Sequence, residues 1–432
     1  MSSASAIQQE LASCPDCDLL ITIKEIGNRQ KTSCPRCGRV LNRKIPNSVG
    51  KTLALAIVGL LLFFPATMLP LLTFQSFGFK DSANLAESVI NLYQNGYYFV
   101  TAMVALSAAI FPALLLTSIL TVSFCLYKNT GFRYLGNFFK LYLHLEEWAM
   151  VEVYLLGIMI TIIKMVDTAD IIYRPGIFCF SGLVIISLGI STTIDKYFFW
   201  SSIEQLKCRQ RAPETLQATD DKRCWTAADQ GLLRCQTCNR LSRAAGENRS
   251  CPRCGDKLKL RKKNSRSRTW ALVATSAILM FPANLLPMME VSFLGIREKS
   301  TIIDGIIFFF QDGSYFIGLI IFTASILVPV FKVIGLAILL LSTSPCSAAP
   351  LRQKTKLYRF IHFIGRWSML DIFVIALLPV LVDFGFFTSV HAAPAATYFC
   401  LVVAATMFAV ITYDPRIMWD QCTITPAGNN QQ

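Results

Sequence analysis

The stretch Phe310 to Lys332, FQDGSYFIGLIIFTASILVPVFK, is an apolar run long enough to cross a bilayer, and it ends in a lysine. Its beginning recurs earlier in the chain. Tyr93 to Phe99 read YQNGYYF against FQDGSYF at Phe310 to Phe316, and the prolines that follow, Pro112 and Pro329, keep the same offset. The chain is therefore a duplication, and the copies differ where Lys332 faces Leu115. Outward from this stretch lie further apolar blocks of about 20 residues, the length a helix needs to cross the hydrocarbon. Eight spans are predicted, at about 52–74, 97–127, 147–166, 175–195, 269–290, 314–341, 367–387 and 393–412.

Composition agrees with that reading. The 432 residues are 53% hydrophobic, gathered in blocks rather than alternating, which excludes an ordinary soluble enzyme and predicts an all-α polytopic membrane protein. The net charge of +14 is distributed by side. Of 41 Lys and Arg residues, Lys80, Arg174, Arg297 and Lys299 fall on one face, and Lys164 and Lys332 lie within or at the edge of spans. The rest sit in the N-terminal segment, in the loops after the second, fourth and sixth spans, and in the tail. By the positive-inside rule both termini and the central loop are cytoplasmic. The basic excess reads as topology and attraction to anionic headgroups, with no nucleic-acid partner. The first 50 residues carry no apolar signal-peptide core, so the first span is expected to act as an uncleaved anchor.

The N-terminal segment carries Cys14-Pro-Asp-Cys17, sixteen residues, then Cys34-Pro-Arg-Cys37-Gly38. After the fourth span the pattern returns as Cys235-Gln-Thr-Cys238, twelve residues, then Cys251-Pro-Arg-Cys254-Gly255. Paired C-x-x-C knuckles are the zinc-ribbon arrangement, four thiolates closing a tetrahedral site. Two structural zinc ions are expected. With four protein ligands each, neither site leaves a position open for catalysis, and both staple domains too small to fold unaided. A cytoplasmic location argues against disulfides.

A proline-broken span follows each ribbon: FPATMLPLL at Phe64 to Leu72 and FPANLLPMM at Phe281 to Met289. These prolines kink the helix, either to shape the bundle or to line a site as a discontinuous helix. Trp148 precedes Glu152 by four residues as Trp367 precedes Asp371, and Asp195 precedes Trp200 as Asp414 precedes Trp419. The predicted layout is a zinc ribbon (1–50), a four-helix block (51–200), a second ribbon with linker (201–265), a second four-helix block (266–420) and a tail (421–432). An even number of spans per copy makes the repeats parallel.

Charges within spans carry the functional reading, because each costs about 2.5–3.5 kcal/mol to insert. Lys332 lies in the sixth span, with Ser325 seven residues earlier on the same helical face, and Asp371 lies in the seventh, one turn after Ser368. Thr406 is a polar residue of the eighth span, and Lys164 and Asp167 close the third. The first copy has Leu115, Ala108 and Ala149 in place of Lys332, Ser325 and Ser368 and keeps only the acid, as Glu152. The second block is therefore the working half, and Lys332, Asp371, Ser325, Ser368 and Thr406 form a transport or proton network. Lys164 and Asp167 either reach it or snorkel to the far interface.

The paired ribbons, the FPANLLP motif, GRWSM with its following Asp371, and YDPR with Trp419 resemble the paraquat-inducible protein A family over essentially the whole chain. That resemblance implies an inner-membrane partner of a periplasm-spanning tunnel of mammalian-cell-entry (MCE) domains, moving phospholipid between two membranes. It also implies a tetraspanin-like bundle in each block. Two other readings stay open: a stand-alone proton-coupled transporter of a small solute, and a membrane-tethered zinc-ribbon regulator. No enzyme is expected, since the chain has three histidines, no phosphate loop and no nucleophile elbow.

Overall fold

A computed structural model describes residues 10–23, 30–76, 79–94, 96–132, 134–165, 170–207, 226–243, 250–293, 296–311, 313, 315–341, 348–370, 372–374 and 388–420. The chain opens with two antiparallel hairpins, β1 (Glu10–Ser13) with β2 (Leu20–Ile23) and β3 (Lys31–Ser33) with β4 (Val40–Arg43). Then come α1 (Ser48–Met68), β5 (Leu72–Ser76), β6 (Phe79–Ala83), α2 (Leu85–Gln94), the long α3 (Tyr98–Tyr127) and α4 (Leu135–Leu145). The first copy closes with α5 (Val151–Met165), β7 (Asp170–Tyr173), α6 (Pro175–Thr193) and α7 (Lys196–Lys207).

The order then repeats. The hairpin β8 (Leu232–Arg234) with β9 (Leu241–Arg243) precedes α8 (Ser265–Leu285), β10 (Met289–Phe293), β11 (Ile296–Ser300) and α9 (Ile302–Gln311). There follow α10 (315–341), α11 (Ala348–Ile364), a 3₁₀ segment (Gly365–Met369), β12 (Thr388–Ala392), α12 (Pro394–Thr412) and α13 (Ile417–Asp420). In both copies the first long helix packs along the last one, α1 on α6 and α8 on α12.

Among the described residues, five helices are long and apolar enough to cross a membrane: Ser48–Met68, Tyr98–Tyr127, Pro175–Thr193, Gly318–Leu341 and Pro394–Thr412. These are the first, second, fourth, sixth and eighth spans of the sequence reading. The third is the shorter apolar helix α5, the fifth is α8, and the seventh, 367–387, lies mostly outside the described residues. Isoleucines and phenylalanines such as Phe178, Ile185, Ile278, Phe281 and Phe316 stand exposed on these helices, as expected of side chains whose solvent is lipid.

The first and fifth spans end earlier than expected, and the reason is local. Pro65 and Pro282 fall inside α1 and α8, while the second proline of each motif, Pro70 or Pro287, stops the helix. A residue before proline is pushed out of the helical region, and Leu69 (φ −76°, ψ 148°) and Leu286 (φ −80°, ψ 156°) are both extended. The chain does not resume as a helix. It turns into β5 or β10, the central strand of a three-stranded antiparallel sheet ordered β6-β5-β7 or β11-β10-β12. Each sheet ties the end of the first long helix to the start of the last. The approach there is close: a Cβ at Gly176, in the first turn of α6, would lie 2.4 Å from the Pro70 carbonyl oxygen.

The cysteine modules dock crosswise. Asp16 in the first module pairs with Arg359 on α11 of the second copy (2.7 Å), and Arg359 also donates to the Cys37 carbonyl (3.2 Å). Arg36 lies over the Trp419 ring at 4.4 Å. The second module does the reverse: Asp256 pairs with Lys140 on α4, and Arg240 and Arg253 both pair with Glu204 on α7, all in the first copy. Lys140 and Arg359 each stand eight residues before a matching tryptophan, Trp148 or Trp367, so one position serves both copies. The modules also touch each other, Ala227 N–H donating to the Asp18 carbonyl at 2.9 Å.

Candidate functional site

Two features of α10 create the buried site. The helix opens into a π segment at Thr323–Leu327, where Val328 N–H donates to the Thr323 carbonyl, and Pro329 then has no N–H to offer the Ser325 carbonyl. The first copy repeats this at Ala105–Ile110, ahead of Pro112. Such bulges often accompany functional positions, because they re-aim the side chains of the following turn. One turn beyond, Lys332 is fully enclosed, at 0% exposure, and its Nζ donates to Ser368 Oγ at 3.1 Å.

Ser325, Ser368 and Thr406 are all buried, Thr406 bonding back to the Val403 carbonyl at 2.9 Å. The structure thus brings Lys332 and Ser368 into direct contact and places Ser325 and Thr406 inside the same protein core. Asp371 and Asp167 lie outside the described residues, and of Lys164 only the backbone, near the end of α5, is described.

The cysteine centres take their shape from the chain. In each knuckle the first cysteine's N–H and carbonyl close a tight loop, as in Cys34 N–H to the Arg39 carbonyl and Gly38 N–H to the Cys34 carbonyl. The residue after each second cysteine is left-handed: Asp18 (φ 59°), Gly38 (72°), Asn239 (59°) and Gly255 (76°). These residue types tolerate that region, which explains their presence. The sulfurs of Cys14 and Cys37 are 3.4 Å apart and those of Cys17 and Cys34 3.5 Å, with 3.4 Å and 3.5 Å for the Cys235–Cys254 and Cys238–Cys251 pairs. Within each group of four, every sulfur lies within 4.8 Å of the others. A tetrahedron of about 2.3 Å metal–sulfur bonds has edges near 3.8 Å, so both buried groups can hold a metal ion.

Between modules and spans lies a charged layer that residue spacing alone did not disclose. Asp414, just past the end of α12, accepts from Arg416 Nε (3.0 Å) and Nη2 (2.9 Å) and from the Lys262 backbone (3.2 Å). Burial alone would raise its carboxyl, but the Arg416 hydrogen bonds and charge hold it below the usual carboxylate range. Its counterpart Asp195, which has Tyr197 where Arg416 stands, is raised by burial, with backbone donors such as Phe198 N–H and the Lys44 charge opposing. Asp414→Asn should therefore cost about 3–5 kcal/mol, the range for breaking a buried pair. Asp195→Asn should cost a few tenths, because asparagine caps a helix as well as aspartate does. The Asp414 contribution is present above its unfolded pKa near 4 and is lost as pH falls through that value and below. Thermal unfolding of both variants between pH 7 and 3 checks this; equal losses would refute it.

The fold and its sites define a class: a multi-pass, mainly helical membrane protein carrying two buried four-cysteine centres. The family model of Paraquat-inducible protein A matches residues 49–204 and 266–423, and the chain belongs to that family. It is 31% identical over 409 residues to Intermembrane transport protein PqiA of Escherichia coli K12, covering 94% of this chain and 95% of that protein. It is 33% identical over 407 residues to Lipophilic envelope-spanning tunnel protein A of the same strain, covering 94% and 90%. A Probable intermembrane transport protein of Haemophilus influenzae is 27% identical over 422 residues, covering 95% and 96%. No solved structure matches.

Proposed function

We propose that this chain is the inner-membrane component of an intermembrane lipid transport system, loading or unloading phospholipid at the mouth of a periplasmic tunnel of MCE domains. The names of its relatives, intermembrane transport protein and envelope-spanning tunnel protein, support transport between membranes. The observation that carries a driven process is Lys332, an amine enclosed in an apolar span against a serine hydroxyl. A charge placed there without function would be a cost with no return.

In this reading the second block works through Lys332, Asp371, Ser325, Ser368 and Thr406, reached by Lys164 and Asp167. An amine and a carboxylate that share buried space exchange a proton when their surroundings change, and that exchange couples proton movement to rearrangement of the bundle. Both termini and both cysteine modules face the cytoplasm. Each module holds one zinc ion on four thiolates, which supplies folding energy and no chemistry.

Gentle purification of the tagged chain from native membranes, followed by protein and lipid mass spectrometry, is expected to recover an MCE protein in near-stoichiometric amount together with phospholipid. A chain recovered alone, monodisperse and lipid-poor, would refute the reading and favour a solitary transporter.

A further inference from the structure

A cavity of about 30 Å³, with room for one or two waters, opens on the module side of the buried lysine. Glu147 from the first copy lines it together with His362, Gly365, Met407, Val410 and Ile411 from the second. Its mouth is polar: His362 Nε2 stands 3.8 Å from Glu147 Oε1, and both side chains are close to half exposed. Two of its lining residues, Gly365 and Met407, are close in the chain to residues of the buried site. Gly365 begins the 3₁₀ segment that carries Ser368, and in a 3₁₀ helix residues three apart eclipse one another, about 6 Å apart along the axis. The wall residue Met407 directly follows the buried Thr406. Other titratable groups face the mouth. The Tyr358 ring lies 6.3 Å from His362, Lys262 Nζ donates to the carbonyl of the lining residue Ile411 at 2.6 Å, and Asp414 and Arg416 lie beyond it.

We propose that this cavity is the entrance by which protons pass between the module-side solution and the Ser368–Lys332 pair, with Glu147 and His362 as the exchanging groups at its mouth. The inference rests on the proton-coupled reading above. In the inward step the carboxyl or imidazolium gives a proton to cavity water. Ser368 Oγ takes a proton from that water as its own hydroxyl proton passes to the neutral Lys332 amine. Glu147 or His362 is then recharged from solution. One proton enters and one ammonium forms; the outward step is the reverse.

Gly365 supplies the test. Gly365 lines the cavity, a Cβ added there meets nothing within 4 Å and its φ is ordinary, so Gly365→Leu adds bulk at the cavity's lining without strain at the backbone. In the full chain in membranes, Ser368→Cys is treated from the module side with a small water-soluble methanethiosulfonate reagent and read by peptide mass spectrometry. Met407→Cys, on the cavity wall, is the second probe should Ser368→Cys fold poorly. Both cysteines are expected to react, and Gly365→Leu is expected to slow the reaction by about an order of magnitude. In cells, Gly365→Leu is expected to lose envelope function as Lys332→Ala does.

Labelling that ignores the leucine, or no labelling of either cysteine, would overturn the entrance. So would a leucine that blocks labelling yet leaves function intact in a cell that needs Lys332. If Lys332→Ala itself leaves function intact, the proton-coupled reading fails, and the entrance fails with it.

Discussion

Replacing Cys17 by serine is expected to loosen α11, in the second copy, before it loosens α1 to α6, which follow it in the chain. Metal binding at four thiolates is worth about 10–16 kcal/mol in small ribbon domains, so a lost ligand unfolds the module rather than softening it. The surface released lies across the molecule. Asp16 no longer holds Arg359, the Cys37 carbonyl no longer accepts from it, and Arg36 leaves the Trp419 ring. Cys238→Ser is the mirror case, freeing Lys140 on α4 and Glu204 on α7. Hydrogen exchange on the purified full chain reads both: faster exchange over 348–364 in the first variant and over 135–145 and 196–207 in the second. If each variant loosened the copy that follows it instead, the crosswise docking would be wrong. Treating the purified chain with a metal chelator is expected to produce the two patterns together.

Lys332→Met is expected to abolish envelope function while leaving the protein folded and at least as heat-resistant as before. Methionine matches the aliphatic length of lysine and removes the ammonium, and exchanging a buried charge for an apolar side chain of similar volume is often neutral or stabilising by about 1–4 kcal/mol. What it leaves behind is Ser368 without the Lys332 donor, a hydroxyl that can turn to another acceptor. A purely structural lysine would give the opposite result, lower thermal stability with function kept in the molecules that fold. Complementation of a deletion strain and thermal unfolding in detergent separate the two outcomes.

Much of this arrangement is legible in the residues. The apolar runs at 97–127, 175–195, 314–341 and 393–412 match helices to within a few residues, and the π segments before Pro112 and Pro329 distort two of them without ending them. The four-cysteine centres are equally plain, since C-x-x-C spacing forces the tight loop that Asp18, Gly38, Asn239 and Gly255 complete. The three-stranded sheets were missed because Leu71 to Phe74 and Met288 to Val291 are as apolar as the helices before them. Hydropathy cannot separate a strand from a helix there; Pro70 and Pro287 were the signal, read as kinks when they are stops.

The Lys332–Ser368 contact follows from reading charges in spans. The Glu147–His362 mouth does not, because it joins residues of different copies whose contact no local pattern encodes. The crosswise docking is long-range for the same reason, although Lys140 and Arg359, at matched distances from Trp148 and Trp367, hint at a shared task.

The crosswise docking also orders events at the ribosome. The carbonyl of Cys37 waits for Arg359, 322 residues further on. At roughly 5–20 residues per second, that delay is on the order of 15–60 s. During that time the first module, its four cysteines already synthesised, has no surface to rest on, while every span of the first copy enters the bilayer. The second module meets no such wait, since its seat on α4 and α7 is complete when it emerges. The amino-terminal module is thus the last piece to lock, and its arrival seals both halves at once.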